Sequence, residues 1–71
     1  MKLFYDRDTD SLYIDLNARP GADAREIADG LVVDFDADGR PVGIDIQHAS
    51  RNLDLSTPET QAWPAFNVKL G

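Results

Sequence analysis

The residues best placed to do chemistry are four aspartates near the middle of the chain. They follow the D-x-D-x-D-G pattern that opens a calcium-binding loop, and the last of them falls at the twelfth position, where such a loop has a bidentate carboxylate. These residues are Asp34, Asp36, Asp38 and Asp45. An EF-hand loop lies between two helices, however, whereas strand-like sequence flanks this one on both sides. Weak binding of calcium or another divalent metal is therefore the alternative function, beside the simpler interpretation of a solvated acidic turn.

The histidine and serine content gives little support for catalysis. His48 is the single histidine, and Ser50 follows it two residues later. A nucleophile and its base also need an orienting third group and an oxyanion site, and closeness in sequence does not establish that geometry. The chain has no cysteine to serve as a nucleophile, a disulfide partner or a thiolate metal ligand. We therefore predict a protein that is not an enzyme, with no catalytic residues and no cofactor.

The charge balance narrows the class of partner. The chain has 13 Asp and Glu residues against 7 Lys and Arg residues, which gives a net charge of −6 and a pI of about 4.3. Binding of nucleic acid depends on neutralising phosphates with Lys and Arg, so we expect no nucleic-acid partner. The acidity favours solubility, and it would also steer the chain toward a basic protein.

Hydropathy gives an expectation about location. No apolar run approaches the roughly 20 residues that a membrane-spanning helix needs. The sequence that follows Met1 also lacks the apolar stretch of a signal peptide. We therefore expect a cytoplasmic protein with no membrane partner.

The central aspartates lie within a predicted β-hairpin over residues 30–47. On both sides of Asp38-Gly39, apolar and polar residues alternate with the period of two that is typical of a strand. Asp-Gly is a strong signal for a two-residue type I′ turn. Pairing Ala37 with Arg40 across that turn places six large apolar side chains on one face, as the facing pairs Phe35–Val42, Val33–Ile44 and Leu31–Ile46.

A second hairpin is predicted near the N-terminus, over residues 2–16, with its turn at Arg7–Asp10. Pairing Asp6 with Ser11 sets two apolar pairs on one face, Leu3–Ile14 and Tyr5–Leu12, with Leu16 continuing that face. The other face carries Phe4 opposite Tyr13. Together with Val32 of the central hairpin, Phe4 and Tyr13 form an apolar patch on the otherwise polar side. This patch is either the seat of the C-terminal segment or a partner surface.

Between the hairpins, the sequence predicts a loop over Asn17–Ala24 and a short edge strand over Arg25–Ala28. Asp29-Gly30 would turn that strand into the central hairpin. A strict two-residue turn there places Glu26 opposite Val33, which conflicts with an apolar face.

The C-terminal part of the chain has a mixed pattern. His48–Asn52 is typical of a turn or a single helical turn. A helix of about two turns is predicted from Ser56, with Glu59 completing a capping box and Pro64 ending the helix. Residues 65–70 alternate again, as in a final edge strand or a tail that packs its apolar side elsewhere.

A single sheet built from these hairpins has an apolar face that water would contact unless a second layer covers it. The cover is either the C-terminal segment, through Leu53, Leu55, Trp63 and Phe66, or the same face of a second copy. We predict a mainly β fold: an antiparallel sheet of two hairpins, with four to six short strands and one short C-terminal helix, completed by homodimerisation. The β domain covers residues 1–52, and residues 53–71 form an extension that packs on the sheet or on a partner. The predicted interface residues are Phe4, Tyr13, Val32, Trp63 and Phe66.

The order of these motifs resembles the small bacterial proteins grouped as domain of unknown function 2283. The matching stretches are K-L-F-Y-D at residues 2–6, D-S-L-Y-I at 10–14, E-I-A-D-G-L-V-V-D-F-D at 26–36 and D-G-R-P-V-G-I-D-I at 38–46, followed by H-A-S at 48–50. The resemblance covers about the first 52 residues. It implies a compact antiparallel β domain with no established activity, catalytic residue or cofactor. It also implies an antitoxin-like or accessory role beside a small toxin-like partner, which is an argument by analogy. We therefore predict a non-enzymatic interaction module that self-associates.

Overall fold

The computed structural model describes residues 1–56, which form one antiparallel sheet and one short helix. The strands are β1 (Lys2–Asp6), β2 (Ser11–Asp15), β3 (Asp23–Ala28), β4 (Leu31–Phe35) and β5 (Pro41–Ile46), and the helix is α1 (Ala49–Asn52). The strand order across the sheet is β1-β2-β5-β4-β3, and every neighbouring pair is antiparallel. The predicted mainly β fold, an antiparallel sheet of short strands with one short helix, is confirmed, and its completion by homodimerisation stays a prediction.

The N-terminal hairpin has the predicted register. Leu3 pairs with Ile14, Tyr5 with Leu12, and Asp6 with Ser11 at the turn. The turn is held locally, because the backbone N–H of Asp8 donates to the Asp6 carboxylate at 2.9 Å.

The turn of the central hairpin differs from the prediction. A type I′ turn needs positive φ at both central residues, but only Gly39 of the Asp38-Gly39 pair has it, at 80°. The backbone N–H of Gly39 donates to the Asp36 carbonyl, and the N–H of Asp36 donates to the Arg40 carbonyl. The loop therefore has three residues, and the predicted pairing of Ala37 with Arg40 is wrong.

A bulge in β5 restores the predicted register further from the turn. Phe35 pairs with Pro41 and Asp34 with Gly43, so Val42 is an extra residue, and the predicted pair Phe35–Val42 is wrong. Beyond the bulge, the pairs Val33–Ile44 and Leu31–Ile46 are confirmed.

The edge strand β3 also contains a bulge, which removes the conflict in the sequence. Ala28 pairs with Leu31 across the two-residue turn Asp29-Gly30, where Gly30 has a φ of 76°. The register then shifts at Ile27, so Glu26 pairs with Val32 instead of Val33. One extra residue thus keeps β3 in the sheet without placing a glutamate on the apolar row.

The two hairpins join through β2 and β5, and this pairing aligns the apolar residues across the sheet. One row runs Leu3, Ile14, Ile44, Val33, and the next runs Tyr5, Leu12, Ile46, Leu31. Among residues 1–56 the buried hydrophobic residues are Leu12, Val33, Val42 and Ala49. The core of the described domain is therefore small and lies under the centre of the sheet.

The short helix α1 lies where the sequence predicted a turn or a single helical turn. Apart from its first residue, Ser56, the helix predicted to end at Pro64 lies outside the described residues, and so do the strand-like residues 65–70, Trp63 and Phe66. That the 53–71 extension packs on the sheet or on a partner stays a prediction.

Candidate interaction surface

The Asp36 carboxylate stabilises the turn of the central hairpin. Its Oδ1 accepts hydrogen bonds from the backbone N–H groups of Asp38 and Arg40, both at 2.9 Å, and its Oδ2 lies 3.2 Å from Arg19 Nε. These hydrogen bonds, first that from Arg40, lower the pKa of Asp36 below its ordinary value despite the opposing effect of burial. The carboxylate closes the loop and ties it to the preceding loop through Arg19.

Asp34 lies on the polar face, where it binds an aromatic side chain from β2. The Tyr13 hydroxyl donates to Asp34 Oδ2 at 2.9 Å, so the Tyr13 ring crosses β5 to reach β4. Gly43 lies under the ring: a Cβ at that position would fall 2.7 Å from Tyr13 Cζ. The hydrogen bond to Asp34 raises the pKa of Tyr13, because the neutral phenol is the form that donates.

Asp45 lies between Tyr13 and Val32 in the same cross-strand row. Its Oδ1 is buried and accepts no hydrogen bond from the part of the chain that the structure describes. The carboxylate thus divides the predicted apolar patch: Phe4 and Tyr13 are neighbours, and Val32 lies beyond Asp45.

The four aspartates of the calcium-like motif therefore have separate surroundings. Within residues 1–56, no three His, Asp or Glu side chains lie close enough together to hold one metal ion. Asp38 is an exposed loop residue whose backbone, rather than its side chain, contacts Asp36. Metal binding stays a prediction that no contact in the described residues supports.

Asp10 forms a hydrogen-bonded cluster that the sequence did not reveal. Its Oδ1 accepts from the Tyr5 hydroxyl at 2.6 Å, and its Oδ2 accepts from the Ser50 hydroxyl at 2.7 Å. The Ser50 backbone N–H also reaches its Oδ1 at 3.1 Å, and the Ala49 N–H donates to its carbonyl at 2.9 Å. These bonds attach α1 to the turn of the N-terminal hairpin. No sequence motif marks the cluster, because Asp10 and Ser50 are far apart along the chain.

His48 and Ser50 have structural roles. His48 precedes α1 with a positive φ of 52°, and its carbonyl accepts from the N–H groups of Arg51 and Asn52. The Ser50 hydroxyl donates to Asp10. The arrangement orients α1, and it does not join serine and histidine as nucleophile and base.

The exposed apolar side chains are concentrated on β1. Six large hydrophobic side chains are exposed within residues 1–56, and four of them are consecutive or nearly so: Met1 and, on β1, Leu3 at 60%, Phe4 at 55% and Tyr5 at 45%. The others are Ile27 and Leu55. Leu3 and Tyr5 lie on the apolar face and Phe4 on the other, so apolar side chains are exposed on both sides of this strand.

An open groove of about 540 Å³ lies on the apolar face beside β1. It is lined by Leu3, Tyr5 and Leu12 from the sheet and by Leu53, Asp54 and Leu55 from the segment after α1. Leu53 and Leu55, which the sequence offered as part of one of two possible covers for the apolar face, thus line this groove, and Leu55 is itself exposed. The predicted interface residue Phe4 is exposed, whereas Tyr13 and Val32 are only partly so.

The described helix is far too short to cross a membrane, and residues 1–56 contain no other helix that could. Comparison with curated proteins and with solved structures found no match. Comparison with family models did find one: the family described as "Protein of unknown function (DUF2283)" matches residues 2–50. The match includes all five strands and the start of α1, and it spans well over half of the chain. The resemblance read from the motifs is thereby confirmed, and the chain belongs to the DUF2283 family.

Proposed function

We propose that this chain is a non-enzymatic protein-interaction module that self-associates as a homodimer through β1 and the apolar face beside it. The observation that supports this is the concentration of exposed large hydrophobic side chains at Met1–Tyr5, next to an apolar groove. Contiguous apolar surface of this kind on a small domain is typical of an interaction site.

The size of the core supports the same proposal. A stable domain packs two layers of secondary structure around its apolar residues, and residues 1–56 supply one sheet and a helix of four residues. Leu53 and Leu55 line the groove on the apolar face, and Leu3 and Tyr5 beside them remain exposed. A second copy that contacts β1 would bury these two side chains against its own, by symmetry.

A basic protein is the second partner that we propose, in line with the antitoxin-like role that the family resemblance implies. Support comes from charge. The face opposite the groove carries Asp15, Asp34, Asp45 and Glu26 in two adjacent cross-strand rows, with Lys2 as their one basic neighbour in those rows. Such a surface would attract and orient a cationic protein.

The self-association is tested by substituting one exposed side chain on each edge of the sheet. Leu3 and Ile27 are equally exposed, at 60% and 59%, but Leu3 is on β1 and Ile27 is on β3. We expect Leu3→Glu to convert the dimer to the 7.8 kDa monomer and Ile27→Glu to leave it dimeric, as measured by size-exclusion chromatography with light scattering. Circular dichroism would check that both variants stay folded.

Two outcomes would contradict the proposal. One is a wild-type chain that stays monomeric up to the highest soluble concentration. The other is an equal effect of the two substitutions, which would show that added charge, and not the position on β1, disrupts association.

A further inference from the structure

We propose that β1 pairs antiparallel with β1 of a second copy, about a two-fold axis at Phe4, so that two five-stranded sheets become one sheet of twice the width. This inference rests on the proposed self-association, and it specifies the contact that produces it. The partner is a second copy of this chain, and the argument depends on the edge itself and on the charges along it.

β1 has the properties of an edge that can accept another strand. It lies at the end of the sheet order, and its inner side makes five consecutive pairs with β2 without a register shift. No strand among residues 1–56 pairs with its outer side. Its sequence, K-L-F-Y-D, contains no proline, glycine or bulge, and all five residues are exposed. The outward backbone N–H and C=O groups are therefore available as a template.

The opposite edge of the sheet is protected in the ways that natural sheets use. β3 has a bulge at Ile27, which interrupts a regular ladder. Arg25 on the same strand lies 4.2 Å above the Phe35 ring and 3.7 Å from the Asp23 carboxylate. Of the two edges formed by residues 1–56, β1 is therefore the one that pairs without a register shift.

The sequence of β1 is complementary to itself in an antiparallel arrangement. With the axis at Phe4, Lys2 faces Asp6 of the second copy, and by symmetry Asp6 faces Lys2. Leu3 faces Tyr5 of the second copy on the apolar side, and the two Phe4 rings meet on the other side. Opposite charges and aromatic pairs are the cross-strand contacts that stabilise a sheet.

Neighbouring registers lose these contacts. An axis at Leu3 places Lys2 opposite Phe4 of the second copy, and an axis at Tyr5 places Phe4 opposite Asp6. The axis at Phe4 is therefore the arrangement that the side chains favour. It also places the two grooves beside Leu3 and Tyr5 next to each other, which extends the apolar face across the dimer.

The charge pairing is tested by exchanging the charges in separate variants. Lys2→Glu places two carboxylates opposite each other at both ends of the ladder, and Asp6→Lys places two ammonium groups there. We expect each variant to dimerise roughly tenfold more weakly than wild type, as measured by analytical ultracentrifugation. An equimolar mixture of the two should form heterodimers of near wild-type affinity, because every facing pair is then opposite in charge. Arg25→Glu, a charge reversal on the β3 edge, should leave dimerisation unchanged.

The position of the axis is tested by a thiol at Phe4. The chain has no cysteine, so Phe4→Cys introduces a single reactive group. Residues that face each other in an antiparallel pair have Cα atoms about 4.5–5.5 Å apart, within the range that a disulfide spans. We expect Phe4→Cys to form a disulfide-linked dimer under mild oxidation and Ile27→Cys, which is equally accessible on the other edge, to remain monomeric on a non-reducing gel.

The outcomes separate this inference from the proposed function. The strand pairing would be wrong, and self-association would still hold, if the chain dimerises but the charge-exchange variants have wild-type affinity and the Phe4→Cys variant does not cross-link. A wild-type chain that stays monomeric at all concentrations would overturn both. Pairing of β1 with residues 57–71 of its own chain would give that monomeric result.

Discussion

Asp10 shows how much one carboxylate can organise in a small domain. It binds the Tyr5 hydroxyl within its own hairpin and the Ser50 hydroxyl at the start of α1. The hydrogen bond from Tyr5, followed by that from Ser50, lowers the pKa of Asp10 below its ordinary value of 3.8. The same bond is the main reason why the pKa of Tyr5 is raised above 10.0. The hydrogen-bonded cluster of Tyr5, Asp10 and Ser50 thus holds the start of α1 against the N-terminal hairpin.

These two shifts give opposite limits to the pH range in which the cluster stabilises the fold. Because the folded-state pKa of Asp10 is lowered, its contribution is present above about pH 3.8 and is lost as the pH falls through the lowered pKa. Because the pKa of Tyr5 is raised, its contribution is present below about pH 10.0 and is lost as the pH rises through the raised pKa.

The first prediction is that Asp10→Asn lowers the pKa of Tyr5 toward its ordinary value and leaves that of Tyr13 unchanged. An amide oxygen accepts a weaker hydrogen bond from the phenol than a carboxylate does, and it carries no negative charge to oppose ionisation, so both contributions of Asp10 to the raised pKa of Tyr5 decrease. The chain has two tyrosines, so a titration followed by NMR resolves both. Asp34→Asn is the matched control, since it should lower the pKa of Tyr13 alone. Equal shifts of both tyrosines in either variant would contradict the assignment.

At the scale of the strands, the alternation of apolar and polar residues predicted which residues pair across the regular parts of the sheet. It did not predict the three-residue loop or the bulges. The pairs Leu3–Ile14, Val33–Ile44 and Leu31–Ile46 follow from period-two patterning, which is strong wherever one face is buried. The length of the loop after Asp36 could not be predicted from the sequence, because Asp-Gly is compatible with both a two-residue and a three-residue loop. The bulge at Val42 then compensates for that loop. Pro41 and Gly43 on either side of it are residue types found at bulges, but the alternation of apolar and polar residues continues through them and does not place the extra residue.

The second prediction concerns the contact between Tyr13 and Gly43. Gly43→Ala should lower the free energy of unfolding by about 1–3 kcal/mol, because the new methyl group would overlap the Tyr13 ring and displace its hydroxyl from Asp34. Denaturant unfolding measures the change. Gly21→Ala is the control, since its methyl group would make ordinary contacts of 3.8 Å or more. An equal loss for Gly43→Ala in a Tyr13→Ala background would show that the ring is not the cause.

At the scale of the whole molecule, the acidic charge is distributed and the apolar exposure is localised. Among residues 1–56, carboxylates lie on the turns of all three hairpins and on the polar face, whereas the exposed hydrophobic side chains concentrate at Met1–Tyr5. The two proposed partners would therefore use different parts of the surface. A second copy would contact the β1 edge, and a basic protein would contact the polar face.

The third prediction is that the chain binds an oligo-arginine peptide at low salt and that the affinity falls as salt is added, because the attraction is electrostatic. Removing two charges from the polar face with Asp15→Asn and Glu26→Gln should weaken binding, as measured by fluorescence anisotropy. Removing two from the turns with Asp8→Asn and Asp29→Asn makes the same change in net charge and should weaken it less. Equal weakening would indicate a response to net charge alone.

The strand order is the part of the fold that the sequence did not reveal. Each hairpin follows from its own alternation, but either strand of one hairpin has a suitable apolar face for pairing with the other hairpin. The observed pairing of β2 with β5 places the Tyr13 ring over Gly43 and its hydroxyl on Asp34. That fit is specific only once three strands are side by side. The contact between Asp10 and Ser50 likewise depends on residues that are distant in the sequence. The separation of the four central aspartates also follows from the tertiary structure, and their spacing in the sequence does not show it.

The strand order also has a consequence for how the chain reaches its native state. Three of the four strand pairings are hairpins between consecutive strands, and the pairing of β2 with β5 is the one formed across residues 16–40. Closing that long loop costs chain entropy before the contacts between β2 and β5 compensate for it, so we expect this pairing to form after the three hairpins, in the slowest step of folding. In the same pairing of β2 with β5, the Tyr13 ring leaves room only for a glycine at position 43. We therefore expect correct folding of this small protein to depend on the fit of the Tyr13 ring over Gly43, in the strand pairing that forms last.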